Sequence, residues 1–244
     1  MNVSLTYFFY RCAWGSLDLI FPPFCGGCGK LGSRWCRDCQ QNVQHLDEPV
    51  CEVCGISMDS SGLCSDCQRV RPRYCLLRSW SVFDGPIRSA LHKLKYRRDV
   101  ALGDALASQL WEFVVDLKWP VEMIIPVPLG KKRLKERGYN QVNLIARPLA
   151  LATGMVFAPD GLTRIHETRS QVGITRRERR ANVGGAFQAQ GKRVNGRVVL
   201  LMDDVATTGA TLSSCAEALF EAGARDVFAF TVSRALTRND LKSV

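Results

Sequence analysis

Acidic residues are the scarce charge in this chain: 23 Asp and Glu stand against 33 Lys and Arg, a formal net charge of +10 over 244 residues. That imbalance favours an anionic partner, such as nucleic acid or a phosphorylated metabolite, with a merely basic solubilising surface as the alternative that charge alone leaves open. Long apolar runs are also missing. No stretch reaches the roughly 20 residues of a transmembrane helix, which excludes a helical membrane span on sequence grounds. The early apolar stretch Met1 to Trp14 is interrupted by Asn2, Ser4, Thr6 and Arg11. It lacks the basic start and small-residue cleavage site of a secretory leader, so it is expected to be a short packing helix, with a membrane-surface helix as the alternative. Histidine is rare, and His45, His92 and His166 have no metal or base partner in sequence. The phosphate-loop pattern GxxxxGK[ST] is absent. With 46% apolar and 23% charged residues, what remains is an ordinary globular chain, large enough for one sizeable core and a smaller module, and expected in the cytoplasm.

Cysteine is abundant but confined. Eight of the 11 cysteines form four C-x-x-C pairs, Cys25/Cys28, Cys36/Cys39, Cys51/Cys54 and Cys64/Cys67. Each such turn aims two thiolates at one point, and two turns complete a tetrahedral zinc site. "CGGCG" and "CEVCG" place Gly after the second Cys, where a knuckle needs positive φ. A disulfide framework would belong to a secreted chain, so the pattern predicts two tandem ribbons and two structural zinc ions. Sequential pairing is the simplest arrangement, with an interleaved cross-brace as the alternative. Cys12, Cys75 and Cys215 fall outside the pattern and read as small buried hydrophobes. The expected organisation is an N-terminal helix over 1–21, a double zinc ribbon over 22–70 and an α/β domain over 71–244.

After the basic linker "QRVRPRY", Tyr74 to Phe83 reads as a strand. A helix is predicted from Pro86, with Ile87, Leu91 and Leu94 as its apolar stripe and Arg88, Lys93, Lys95, Arg97 and Arg98 left for the other face. A second helix spans Val100 to Leu117, "EMIIPVPL" is a short buried strand, and "NLIARPLALATG" is a helix that Pro148 should kink or divide. "RVVLLM" and "DVFAFTV" are buried strands flanking a helix whose core face is Leu212, Ala216, Leu219 and Phe220. This alternation predicts a parallel sheet covered on both faces, with ligands bound at the carboxyl ends of its strands.

"DDVATTGAT" lies at that edge and is expected to be a loop from strand to helix. The orphan amides of the helix start, the hydroxyls of Thr207, Thr208 and Thr211, and close approach at Gly209 suit a phosphate. Asp203 and Asp204 would repel that phosphate unless they face ribose hydroxyls or Mg²⁺. Together these features describe a ribose 5-phosphate.

The segment resembles the phosphoribosyl pyrophosphate signature of type I phosphoribosyltransferases. With "PVPLGKKRLKERGYNQ" and "TRSQVGITRRERRANVGGAF", all behind the cysteine ribbons, the chain is similar to the ComF family, including its GntX type, from Pro22 onward. The resemblance implies an α/β, parallel-sheet phosphoribosyltransferase-like domain behind a double zinc ribbon, and a role in uptake or use of external DNA. It implies a 5-phosphate cradle at Thr207, Thr208, Gly209, Ala210 and Thr211, ribose contacts from Asp203 and Asp204, and a diphosphate loop at Val127 to Gly130, including Pro128, with Lys131 beside it. Arg164, Arg169, Arg176, Arg177, Arg179 and Arg180 occupy the counterpart of a mobile loop, and they exceed what one diphosphate requires. A path for single-stranded DNA follows from that excess, with Tyr96 or Tyr139 to stack bases. Two departures bear on catalysis: Thr207 stands where purine-salvage relatives carry an Asp, and no separate hood segment follows the signature. The implied function is thus a DNA-utilisation factor that binds phosphoribosyl pyrophosphate with Mg²⁺ and meets the DNA-uptake machinery. The alternatives are an active transferase with an unassigned acceptor and a ligand sensor without chemistry.

Overall fold

A computed structural model describes residues 22–166 and 185–236. The expected N-terminal helix over 1–21, and Cys12, Arg169, Gln171, Arg176, Arg177, Arg179, Arg180 and Asn182, lie outside the described residues.

Two short helices belong to the cysteine region, α1 (Arg37–Gln41) and α2 (Ser65–Arg69). The α/β region follows as β1 (Leu77–Val82), α3 (Gly85–Tyr96), α4 (Leu102–Asp116), β2 (Met123–Pro126), α5 (Lys131–Arg137), α6 (Gln141–Thr153), β3 (Val156–Phe157), β4 (Leu162–Arg164), β5 (Phe187–Ala189), α7 (Gly191–Val194), β6 (Val198–Ala206), α8 (Ala210–Glu221) and β7 (Asp226–Arg234). Five strands form one sheet in the order β1-β7-β6-β2-β3, and every neighbouring pair is parallel. A separate antiparallel pair joins β4 to β5. Among the described residues no helix is long and apolar enough to cross a membrane.

The period-2 alternation of strand side chains divides the interior into two cores. One face carries Leu77, Ile125, Leu201 and Ala229, packed against Leu212, Ala216 and Leu219 of α8. The other carries Trp80, Ile124, Leu200 and Phe230, packed against Ile87, Leu91 and Leu94 of α3 and the apolar faces of α4 and α6. The cysteine ribbons join these same cores. Cys51, Val53, Cys54 and Cys67 are buried in the first, whereas Val43 and Trp35 belong to the second. The two ribbons therefore sit on opposite faces of the sheet.

Two sequence expectations need correcting. Helix α6 runs through Pro148 as one element, so Pro148 does not divide it into two pieces. Proline removes the N–H that would pair with the carbonyl four residues back, at Leu144. Gly103 of α4 packs against that freed carbonyl so closely that a Cβ there would stand 2.6 Å from the Leu144 oxygen. In addition, β6 continues through both acids to Ala206, so Asp203 and Asp204 are strand residues, not loop residues. Pairing with β7 explains the extension, since Asp203 lies opposite Thr231 and Ala206 opposite Arg234.

Gly103→Ala should force α4 away from α6 and destabilise the protein by about 1–3 kcal/mol. Urea denaturation checks this, and an unchanged midpoint would contradict the close approach.

Candidate functional site

Because adjacent strand residues face opposite ways, the two acids diverge. Asp204 turns toward the α3 and α6 side, where Lys95 Nζ lies 2.7 Å from its Oδ2 and Gln141 Nε2 donates to the same oxygen at 2.7 Å. Gln141 in turn accepts from Arg137. The Lys95 and Asp204 side chains are only 20% and 8% exposed, so this is a largely desolvated ion pair. Asp203 turns toward α8. Its Oδ1 accepts from the Asp204 amide at 2.8 Å. Burial, reinforced by the Asp204 carboxylate, pushes the Asp203 carboxyl up to about 8. Burial, then Asp203, also pushes the Cys215 thiol up.

Past Ala206 the chain turns into α8. Gly209 has φ +72, a backbone conformation that side chains other than glycine rarely adopt. The Ala210 amide donates to Thr208 Oγ1 at 3.4 Å, and the remaining first-turn amides present the positive end of a twelve-residue helix.

Opposite stands the turn after β2. Val127 spends its amide on the Met202 carbonyl at 2.8 Å, and Pro128 has none, so the amides this turn can offer a ligand come from Leu129 and Gly130. Asn140 fixes the turn by donating to the Val127 carbonyl at 2.9 Å while its Oδ1 caps α6.

These elements enclose a cavity of about 340 Å³ at the carboxyl ends of β2 and β6. Asp203, Asp204, Thr207, Thr208, Gly209, Ala210 and Thr211 line one side, Val127 to Gly130 another, with Arg133, Arg137 and Arg164 adding positive charge. Lys131 is exposed and lies outside this lining; Arg133 and Arg137, two and six positions further along α5, take its place. Lys95 and Gln141 were not singled out by sequence reasoning. Lys95 reads as one more cation on a solvated helix face, and only the sheet topology brings that face over Asp204. Tyr96 stands at the rim, 64% exposed, with the Arg137 guanidinium 5.4 Å from its ring centroid. Tyr139 is engaged, donating from its hydroxyl to the Leu94 carbonyl at 2.6 Å. Of the histidines, His45 pairs with the Trp80 carbonyl at 2.8 Å and His92 packs on the Tyr96 ring.

The cysteines pair sequentially, Cys25, Cys28, Cys36 and Cys39 in one set and Cys51, Cys54, Cys64 and Cys67 in the other, with the sulfurs of each within 4.8 Å of one another. Cys25 and Cys39 sulfurs are 3.6 Å apart, and Cys28–Cys36 and Cys54–Cys64 are both 3.7 Å. Bonds of about 2.3 Å to a tetrahedral zinc would space sulfurs about 3.8 Å apart, so both sets fit the ion. Amides of Cys36 and Cys64 donate to the sulfurs of Cys25 and Cys51 at 3.4 Å, which suits thiolate ligands. Gly29 and Gly55 take the expected positive φ, +79 and +64. Among the lone cysteines, Cys215 is buried, and Cys75 is half-buried with its sulfur 3.6 Å from an Asp226 oxygen.

Removing Lys95 as Lys95→Met should leave Asp204 as a buried charge without a counter-ion and cost about 3–5 kcal/mol. The double variant with Asp204→Asn should recover much of the loss in urea unfolding, and strictly additive losses would refute the pairing. For Asp203, a folded-state pKa of about 8 against the ordinary 3.8 means that the fold binds the proton more tightly than the unfolded chain does. Its contribution to stability is therefore fully present below the ordinary value and is lost as pH rises toward 8. In thermal melts Asp203→Asn should gain on the wild type steadily from pH 5 to 8; parallel curves would argue against the shift.

Compared with known proteins, residues 16–68 match the double zinc ribbon domain family. The DNA utilization protein YhgH of Salmonella typhimurium (strain LT2) is 31% identical over 213 residues, covering 84% of this chain and 92% of its own. The competence protein ComFC of Bacillus subtilis (strain 168) is 28% identical, covering 91% of this chain and 89% of its own. Among solved structures, an adenine phosphoribosyltransferase aligns at 17% identity over 61% of this chain and 78% of that one, with a TM-score of 0.38. Ribbons, sheet and near-full-length similarity agree: the chain belongs to the ComF family of competence and DNA-utilization proteins.

Proposed function

We propose that this chain is a DNA-utilisation factor whose cavity binds 5-phosphoribosyl 1-pyrophosphate with Mg²⁺ and whose basic rim contacts single-stranded DNA. The observation that carries the reading is the polarity of one cavity, with carboxylates on a strand end, hydroxyls and helix-start amides beside them, and guanidinium groups across from both. The 5-phosphate sits against Thr207, Thr208, Gly209, Ala210 and Thr211, where amides and hydroxyls donate. Asp203 accepts from the ribose hydroxyls. Asp204, already held by Lys95 and Gln141, gives that wall its fixed position and a second acceptor oxygen. The diphosphate faces Leu129, Gly130, Arg133 and Arg137. Mg²⁺ enters with the diphosphate and offsets its charge, and Asp203 is the carboxylate placed to steady it. Thr207 performs no proton transfer at neutral pH, which favours binding without transfer over an active transferase.

The DNA reading draws on the names of the relatives, a DNA utilization protein and a competence protein, and on exposed cations beside the cavity. Arg97 is exposed next to Tyr96 in the chain, Lys131, Arg133 and Lys135 are exposed on α5, and Arg133 shares the cavity lining with Tyr96, whose ring can stack a base. Arg164, at the cavity, begins the arginine-rich stretch that continues through Arg169, Arg176, Arg177, Arg179 and Arg180. In this reading the protein works in the cytoplasm, with the DNA-uptake machinery as its partner.

Calorimetric titration with 5-phosphoribosyl 1-pyrophosphate and Mg²⁺, with and without single-stranded DNA, tests both halves. One site per chain is expected, weakened about tenfold by Asp203→Asn. DNA affinity should fall steeply with salt, and Arg97→Ala with Lys135→Ala should lower the log–log slope by about one for each phosphate no longer neutralised. No heat from the diphosphate sugar would remove the ligand, and salt-insensitive DNA binding would remove the rim.

A further inference from the structure

Arg234 is a charged residue at the end of β7, yet only 3% exposed. Its Nη1 donates to the Cys54 carbonyl at 2.6 Å and its Nη2 lies 3.8 Å from the Cys54 sulfur. Its Nε is buried with no hydrogen-bond partner among the described residues. The backbone of Arg234 lies opposite Ala206, and the following residue, Ala235, donates its amide to the Ala206 carbonyl at 2.9 Å. Ala206 is the last strand residue before Thr207. Arg234 thus grips the second cysteine ribbon with its side chain, and the residue directly after it holds the start of the threonine turn with its amide.

A second link runs beside it. Tyr74 follows the ribbon's last cysteine, Cys67, and is buried, with its hydroxyl 2.7 Å from the point where a Cβ on Gly209 would stand. Next to it the Arg73 amide donates to Ser213 Oγ at 3.0 Å, and Arg73 Nε pairs with Glu217 at 3.2 Å, both on α8. Gly209 and the first turns of α8 therefore rest on Arg73 and Tyr74, in the segment by which the chain leaves the second ribbon. The first ribbon meets different elements: Lys93 of α3 donates to the Cys25 carbonyl at 2.9 Å, and Gly26 lies against Leu102 of α4.

Four thiolates around one Zn²⁺ carry a net negative charge, and a buried guanidinium needs such a counter-charge to stay where it is. We propose that Arg234 is a positioning residue through which the metal held by Cys51, Cys54, Cys64 and Cys67 keeps the Thr207–Gly209 turn in place, so that the order of this turn follows the zinc of the second ribbon and not that of the first. The functional meaning rests on the turn being the phosphate cradle, but its order is measurable without any ligand.

The test is hydrogen exchange by mass spectrometry on the full chain, with zinc counted by elemental analysis. Arg234→Met should keep two zinc ions per chain while exchange in peptides spanning 204–212 rises at least about tenfold and peptides spanning 87–97 stay at wild-type rates. Arg234→Lys, which preserves the charge, should recover part of the protection. Wild-type exchange across 204–212 in Arg234→Met, with zinc retained, overturns the proposal. Should Arg234→Met fail to fold, single-ligand variants carry the same contrast: Cys64→Ser should release the 204–212 segment, and Cys36→Ser should release 87–97 instead. Equal effects of both variants on 204–212 would also overturn it. These readings use no ligand, so a failure of 5-phosphoribosyl 1-pyrophosphate to bind leaves the result standing.

Discussion

A carboxylate buried at the end of a central parallel strand must have a cation, and Lys95 is the one that answers Asp204. Everything around the cavity is arranged to make that pairing possible. Helix α3 crosses the sheet so that its last turn ends over β6, Tyr139 ties the Leu94 carbonyl one residue before Lys95, and Gln141 at the start of α6 completes the shell. The ion pair in turn decides how the two acids divide their work. Asp204 is a fixed part of the wall, while Asp203, crowded by burial and by its neighbour, holds a proton near neutrality unless a donor or a cation arrives.

The ribbons are less separate from this arrangement than their composition suggests. Each lacks enough apolar material for a core of its own and completes itself on one face of the sheet, the second ribbon beneath α8 and the first beside α3 and α4. Burial against the sheet and metal ligation are thus two contributions to the same stability. They also put a metal-dependent element behind each wall of the cavity.

Much of this was legible in the residues. The parallel strands, the apolar stripe of α3 and the α8 core face follow from periodicity, and the cysteine spacing fixes the ribbons because tetrahedral ligation leaves few alternatives. What escaped is non-local. Periodicity cannot show that Asp203 and Asp204 continue a strand, because the reason is a partner strand more than 20 residues away, from Asp226 to Arg234. Nor can local rules show that the helix continues past Pro148, where Gly103 of another helix packs closely against the Leu144 carbonyl. Lys95 was hidden for the same cause, as a lysine among lysines until the fold gave it a counter-ion.

The order of the strands has a consequence for how the chain comes to be. β7, the last of the described strands, lies between β1 and β6, pairing Leu77 with Ala229 across 152 residues of chain. The sheet cannot close until Asp226–Arg234 has left the ribosome, whereas both sets of cysteines are complete by Cys67. Metal capture is a local event, and sheet closure is a late and distant one. The cysteine sites are thus in place first, and the sheet that follows completes the core of each ribbon on one of its faces.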